Sequence, residues 1–153
     1  MLFNIYISDQ PISPHTLVGD FADDKAILTT SSDPVLASSY IQNYLNTLES
    51  WYKTWGVKMN EAKSIHDTFA LHHSICPTLF LNNQPLSPAQ CVQYLGILTD
   101  RRLTWKPHII SKTHTLNDRF HLLRPLLTSK HMKLSNKLLL YKLQLRPIWT
   151  YGI

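Results

Sequence analysis

The sequence predicts an α+β fold in which a small antiparallel sheet lies under one long helix and a basic helical segment follows. Three observations predict it. Short β-prone runs separated by turn residues recur through the first 100 positions, and one apolar stripe at three- and four-residue spacing runs from about residue 34 to 55. After Asp100 the periodicity becomes helical, and the charge changes sign with it. Residues 1–100 carry 4 Lys/Arg and 9 Asp/Glu, whereas residues 101–153 carry 11 and 1, so the net +5 separates into −5 and +10. The chain therefore reads as two parts, about 1–100 and about 101–153.

Leu2 to Ile7 is mostly apolar and ends at Asp9-Gln10-Pro11, the pattern of a last helical turn or a short buried segment. Thr16 to Phe21 and Lys25 to Thr29 flank an Asp-Asp pair that favours turns, which predicts a β-hairpin with Ala22-Asp23-Asp24-Lys25 at its tip. Ser31-Ser32-Asp33-Pro34 is a helix start, because Ser or Asp caps free amides and Pro tolerates the first helical position. The helix runs to about Trp55, with Ile41, Tyr44, Leu45, Leu48, Trp51, Tyr52 and Trp55 on one face and Gly56 as the stop. Strands follow at Ser64–Leu71, at Thr78–Leu81 before the turn Asn82-Asn83-Gln84-Pro85, and at Cys91–Leu98, in an expected antiparallel meander. Beyond them Ile109, Leu116, Phe120, Leu123 and Leu127 form one stripe, and Leu134, Leu138, Tyr141, Leu145 and Ile148 a second. Two helices antiparallel around Thr128-Ser129-Lys130 would bury these stripes together.

Composition narrows the function classes. With 153 residues, 44% of them hydrophobic, the chain has material for one core. No repeat or low-complexity stretch interrupts it. Cys76 and Cys91 lie in no CxxC pair and suit a reducing intracellular compartment, nuclear or cytoplasmic. The N-terminus lacks a basic n-region and a small-residue cleavage site, and no apolar run approaches the roughly 20 residues of a membrane span. His72, His73 and Cys76 lack a second ligand pair at zinc-site spacing, so no zinc site is expected there.

Asp23 and Asp24 carry the sharpest chemical reading. Two carboxylates at a hairpin tip, with apolar strands behind them, form a platform for hard cations. Mg²⁺ takes one or two carboxylates when substrate phosphate and water complete its shell. Asp-Asp alone is weak, since both residues favour turns for backbone reasons.

Context makes it specific. Phe21-Ala22-Asp23-Asp24-x-Ala26-Ile27-Leu28 resembles the active-site hairpin of reverse transcriptases, in the F/Y-A-D-D form of jockey-type non-LTR retrotransposons. Trp55 to Ser64 resembles a palm segment with its lysine after Asn-x-x, and Val92-Gln93-Tyr94-Leu95-Gly96-Ile97 resembles the Y-L-G primer grip. Asp100 to Ile109 and Asn136 to Lys142 are similar to segments that open and continue the thumb, and Pro147-Ile148-Trp149-Thr150-Tyr151-Gly152 to the run that follows. The likeness spans essentially the whole chain.

The resemblance implies a partial polymerase palm followed by a basic helical thumb, an RNA-directed DNA polymerase using Mg²⁺ (or Mn²⁺), an RNA template, a DNA primer and deoxynucleotides. It implies that Asp23 ligates the catalytic metals with Asp24 as its less direct neighbour. Lys63 would assist the leaving pyrophosphate, and Tyr94, Leu95 and Gly96 would place the primer terminus. Lys106, Lys112, Arg119, Arg124, Lys130, Lys133, Lys137, Lys142 and Arg146 would follow the template–primer backbone without reading bases. Trp105 and Trp149 are expected in the core, with base stacking the alternative.

The sequence also departs from the family pattern. Relatives draw another metal-binding aspartate from a strand well upstream of the hairpin, as well as fingers that hold the nucleotide. Asp9 and Asp20 precede Asp23, and neither stands in the apolar strand context of that family segment. Lys25 occupies a position where jockey-type sequences usually have threonine, which would set a cation beside the carboxylates. The expectation is a remnant or a piece of a larger protein that needs the missing palm and fingers segments and lacks polymerase activity alone. The alternative is a non-catalytic basic nucleic-acid-binding helical protein.

Overall fold

Asp33 and Pro34 start helix α1 (Pro34–Trp55) in the computed structural model, which describes residues 5, 8–71 and 76–151. The Asp33 carboxylate accepts the Val35 amide at 2.9 Å, and Pro34 sits where no intrahelical amide is needed. Gly56, at φ 67, ends the helix, and the next amide, of Val57, donates to the Tyr52 carbonyl at 2.9 Å. Both ends fall where the sequence places them. So does most of the apolar face: Tyr44, Leu45 and Leu48 are buried, Leu48 completely, Ile41, Trp51 and Tyr52 are partly buried, and Trp55 in the last turn is exposed. Leu45 packs with Leu79, Leu81 and Leu86, and Ile27, Ile41 and Met59 surround that cluster.

Among the described residues eight strands make four separate ladders. They are β1 (Leu17–Phe21), β2 (Asp24–Leu28), β3 (Ile65–His66), β4 (Phe80–Leu81), β5 (Gln84–Pro85), β6 (Ser87–Pro88), β7 (Cys91–Tyr94) and β8 (Ile97–Asp100). Pairs β1–β2, β4–β5 and β7–β8 are antiparallel hairpins, but β3 pairs with β6 in parallel, so the expected antiparallel meander is corrected. The β4–β5 hairpin closes on itself and leaves β3 to meet β6 beyond it. On β4 the Gln42 side-chain oxygen of α1 accepts the Phe80 N–H at 2.8 Å and its nitrogen donates to the Phe80 carbonyl at 3.0 Å. The helix thus takes the place of a neighbouring strand for β4, and the chain returns to β3 only after the β4–β5 hairpin.

Three predicted strands also shrink, Thr78–Leu81 among them, of which only Phe80–Leu81 is a strand. The one expected at Ser64–Leu71 keeps two residues, because the Asp67 carboxylate takes the Thr68 amide at 2.7 Å in competition with a ladder. The one expected at Cys91–Leu98 folds back on itself at Leu95-Gly96.

After residue 105 come α2 (Lys106–Thr128), α3 (Leu134–Leu140), a π-helical turn (Tyr141–Leu145) and α4 (Arg146–Thr150). Pro147 has no amide for Leu143 and its ring crowds that carbonyl, so the preceding turn widens. Lys112 lies beside Tyr151 and Arg119 beside Gln144, which makes the two helical arms antiparallel, as expected. The shared burial is partial. Leu145 is buried and Leu116, Leu123, Leu127 and Ile148 partly so, whereas Ile109, Phe120, Leu134, Leu138 and Tyr141 are exposed. Two helices cover only the seam between them, so the outer flank of each stripe faces water. Among the described residues no helix is long and apolar enough to cross a membrane. The Leu2–Ile7 segment lies outside the described residues except for Ile5.

Burial of His66 gives the fold a pH dependence. Desolvation holds its imidazole below the ordinary value, against the opposing charge of Asp67. The unfolded chain then binds this proton more readily, so the contribution of His66 is full above the ordinary range near 6.5 and falls as pH drops through it. Urea unfolding at pH 7.5 and 5.5 is expected to show lower stability at the lower pH. His66→Gln should flatten part of that difference, and an unchanged profile in the variant would refute the assignment.

Candidate metal site and nucleic-acid interface

The β1–β2 register pairs Phe21 with Asp24 and Asp20 with Lys25, which leaves Ala22-Asp23 as the two-residue connection. Ala22 takes φ 52, the positive value such tight hairpins favour. The tip is thus narrower than the four residues expected from sequence. Asp23 stands in the turn and Asp24 on the first pair, both exposed. Among the described residues neither carboxylate has a hydrogen-bond or ion-pair partner.

Successive pairs alternate between the two faces of the hairpin. Val18, Asp20, Lys25 and Ile27 share the face turned to α1, where Ile27 joins the core. There the Lys25 ammonium donates to Asp20 and to the Gln10 amide oxygen, and the Gln10 nitrogen donates to the Tyr44 hydroxyl at 3.2 Å. Tyr44 in turn donates to the Pro11 carbonyl at 2.9 Å, and burial pushes its phenol up. The network fixes Lys25 on the face opposite Asp24. The cation expected beside the metal carboxylates is thereby paired with Asp20 instead.

Phe21, Asp24, Gly19 and Ala26 share the other face. The Tyr94 hydroxyl donates to the Gly19 carbonyl at 3.2 Å, and a Cβ built on Gly19 would stand 3.6 Å from that hydroxyl. Tyr94 therefore meets the hairpin two residues along the strand from the Phe21–Asp24 pair, roughly 7 Å by strand geometry. Tyr94 thus meets the face of the hairpin that bears Asp24, at Gly19 and not at the carboxylates themselves. Leu95 at φ 47 and Gly96 at φ 77 form the tight turn that follows.

Lys63 closes a one-turn 3-10 helix (Glu61–Lys63) after Asn60, whose side chain accepts the Lys63 amide at 3.2 Å. The Asn-x-x-Lys spacing is thus a local cap. The Lys63 side chain is exposed, and among the described residues no hydrogen bond or ion pair joins it to the hairpin.

Of the basic residues, Lys106, Arg119, Arg124, Lys130, Lys133, Lys142 and Arg146 are exposed, and Lys112 and Lys137 partly so. Arg119 donates to Gln144 at 3.4 Å, and Lys112 holds its ammonium 5.0 Å from the centre of the Tyr151 ring. Trp105 and Trp149, expected in the core, are both 45% exposed. Trp105 caps α2 at φ 61 and Trp149 lies in the short final helix, so neither reaches the seam. Asp100 accepts the Thr104 amide at 2.7 Å and hydroxyl at 2.9 Å. Desolvation works against its charge, and these bonds still hold its carboxyl below the usual range, joining β8 to the start of α2.

Among the described residues no group of three His, Cys, Asp or Glu can hold a metal ion. His72 and His73 lie outside them, and Cys76 and Cys91 are free thiols. Two exposed, unpartnered carboxylates fit a Mg²⁺ whose remaining shell is phosphate and water, and they do not make a closed protein cage. Sequence reasoning missed Gln10, Tyr44 and Tyr151 as supports. Of the three, Tyr44 carried a signal, a hydroxyl in the apolar stripe, which it shares with Tyr52.

The chain is 32% identical to the RNA-directed DNA polymerase from mobile element jockey of Drosophila melanogaster, over 99% of the chain and 18% of that protein. The jockey enzyme of Drosophila funebris gives the same identity and coverage. A probable RNA-directed DNA polymerase from transposon BS of Drosophila melanogaster is 34% identical over 100% of the chain and 18% of its own length. No protein-family model matches the chain, and no solved structure does. The chain spans about 18% of the length of these curated relatives. Matched end to end by a segment of each, it is similar over its whole length to part of the RNA-directed DNA polymerases of jockey-type non-LTR retrotransposons.

Proposed function

We propose that the chain is the palm-and-thumb portion of an RNA-directed DNA polymerase, contributing two metal-binding carboxylates, a seat for the primer's end and a basic track for the template–primer duplex. The observation that carries this reading is the pair of unpartnered carboxylates at the β1–β2 tip, with Tyr94 against the face that bears Asp24. Asp23 and Asp24 would hold Mg²⁺ or Mn²⁺, which supplies charge neutralisation at the reacting phosphate. Lys25 is kept off that face by Asp20 and Gln10, so the anionic tip stays free for a cation. Lys63 sits on an exposed turn from which a lysine can serve an anionic leaving group as a charge partner. The cations of α2 to α4 would neutralise phosphates, and RNA template, DNA primer and deoxynucleotides are the substrate classes.

Two carboxylates with no third ligand grouped beside them among the described residues do not complete a two-ion centre, so the 153-residue chain alone is expected not to extend a primer. Mn²⁺ bound in the presence of primer–template and deoxynucleotide can be counted by electron paramagnetic resonance. The wild type should bind it, and Asp23→Asn should lose most of that binding while keeping duplex affinity. Mn²⁺ binding indifferent to Asp23→Asn and Asp24→Asn would refute the metal role, and templated synthesis by the chain alone would refute its inactivity. A second reading, a non-catalytic nucleic-acid-binding protein, is favoured by the exposed cations and predicts duplex binding that ignores Asp23 altogether.

A further inference from the structure

We infer that Tyr151, steadied by Lys112, is a positioning residue for the Leu95-Gly96 turn and couples the helical segment to the place where a primer's end would sit. The inference rests on the reading of that turn as the primer seat.

The turn needs outside support. A two-residue hairpin with both central residues at positive φ favours Asn-Gly or Gly-Gly, because a side chain there crowds the backbone. Leu95 takes φ 47 nonetheless, and Gly96 takes φ 77. The Tyr151 hydroxyl donates to the Leu95 carbonyl at 2.5 Å, which fixes the strained residue's peptide. Its ring also lies over Gly96, where an added Cβ would meet the ring carbon Cε1 at 3.1 Å. Gly96 is therefore required twice, for its φ and for the closeness of Tyr151. The Lys112 ammonium stands 5.0 Å from the ring centre, within cation–π range, and ties that ring to α2.

These contacts form a chain of fixed points. Tyr94 binds the catalytic hairpin at Gly19, and Leu95 and Gly96 are held one and two residues later by a side chain from the end of α4. A shift of α2 against α4 would move Tyr151, and the Leu95 carbonyl would move with it. Tyr151 touches none of the carboxylates and acts through the turn, so its effect should fall on where a primer end is seated and not on overall duplex affinity.

The test uses the full chain with Tyr151→Phe, which keeps the ring over Gly96 and removes only the hydroxyl, and Tyr151→Ala as a second variant. Amide hydrogen exchange of residues 91–100 is measured along with affinity for two duplexes of equal length, one with a recessed 3′ end and one blunt. The wild type should prefer the recessed end. Tyr151→Phe should speed exchange at Gly96 and Ile97 and reduce the preference roughly three- to ten-fold, the loss of one hydrogen bond. Blunt-duplex affinity should not change. Unchanged exchange in both variants overturns the inference, as does a wild-type preference that survives Tyr151→Phe. A wild type without end preference overturns the primer-seat reading itself, and with it the inference.

Discussion

Leu48→Ala is expected to destabilise the chain by about 2–5 kcal/mol, enough to leave much of it unfolded at body temperature. Leu48 is the one described residue whose side chain is large and fully enclosed, on the face of α1 that also buries Tyr44 and Leu45. Removing three of its carbons loses their transfer energy and leaves a cavity that neighbouring helix and strands cannot close. The loss bears heavily here because the described residues bury only seven large apolar side chains and leave 27 exposed. Leu122→Ala is the matched control: Leu122 is 75% exposed, and its truncation should stay within about 0.5 kcal/mol of wild type. Urea unfolding followed by circular dichroism measures both. Equal effects from the two truncations would show that α1 does not organise the core.

The parts of the fold legible in the sequence were those with local causes. Asp33, Pro34 and Gly56 each act within one helical turn, so both ends of α1 can be read from neighbours in the chain. The β1–β2 hairpin and the Asn82-Asn83 turn are likewise set by adjacent residues. The parallel β3–β6 ladder was not legible, because it pairs Ile65 with Ser87 and His66 with Pro88 across the whole β4–β5 hairpin, where no neighbouring residue signals the partner. The break at Leu95-Gly96 was missed because Leu is a poor residue at positive φ and is kept there by a tyrosine 56 residues away.

The site divides in the same way. Asp23 and Asp24 were singled out by the resemblance of the Phe21-Ala22-Asp23-Asp24 run, residue type alone being weak, and the register puts both at the hairpin's tip. The consequence of Lys25 could not be read, since a lysine next to two aspartates in sequence suggests a competing cation. Strand alternation puts it on the other face, and Gln10 and Tyr44, distant in sequence, hold it there. Burial of the helical stripes was overestimated for a related reason: periodicity reveals which residues share a face, not how much of that face a neighbour covers.

The largest effect expected in solution is the dependence of duplex affinity on salt. Each phosphate neutralised by Lys or Arg releases condensed counterions, so the logarithm of affinity falls with the logarithm of salt concentration by about 0.9 per contact. Eight cations of residues 101–151 are exposed, Arg102 and seven from Lys106 onward, and Lys112 is turned toward Tyr151. If about six engage phosphates, raising salt from about 50 to 200 mM should weaken binding to a duplex roughly 10³-fold. Removing Lys133 and Arg124 together, as Lys133→Gln and Arg124→Gln, should lower the slope by about two without changing any preference among sequences. Fluorescence anisotropy with duplexes of scrambled sequence reads both quantities. A slope below about two in the wild type, or a slope untouched by the double variant, would mean that the +10 segment serves solubility and not phosphate binding.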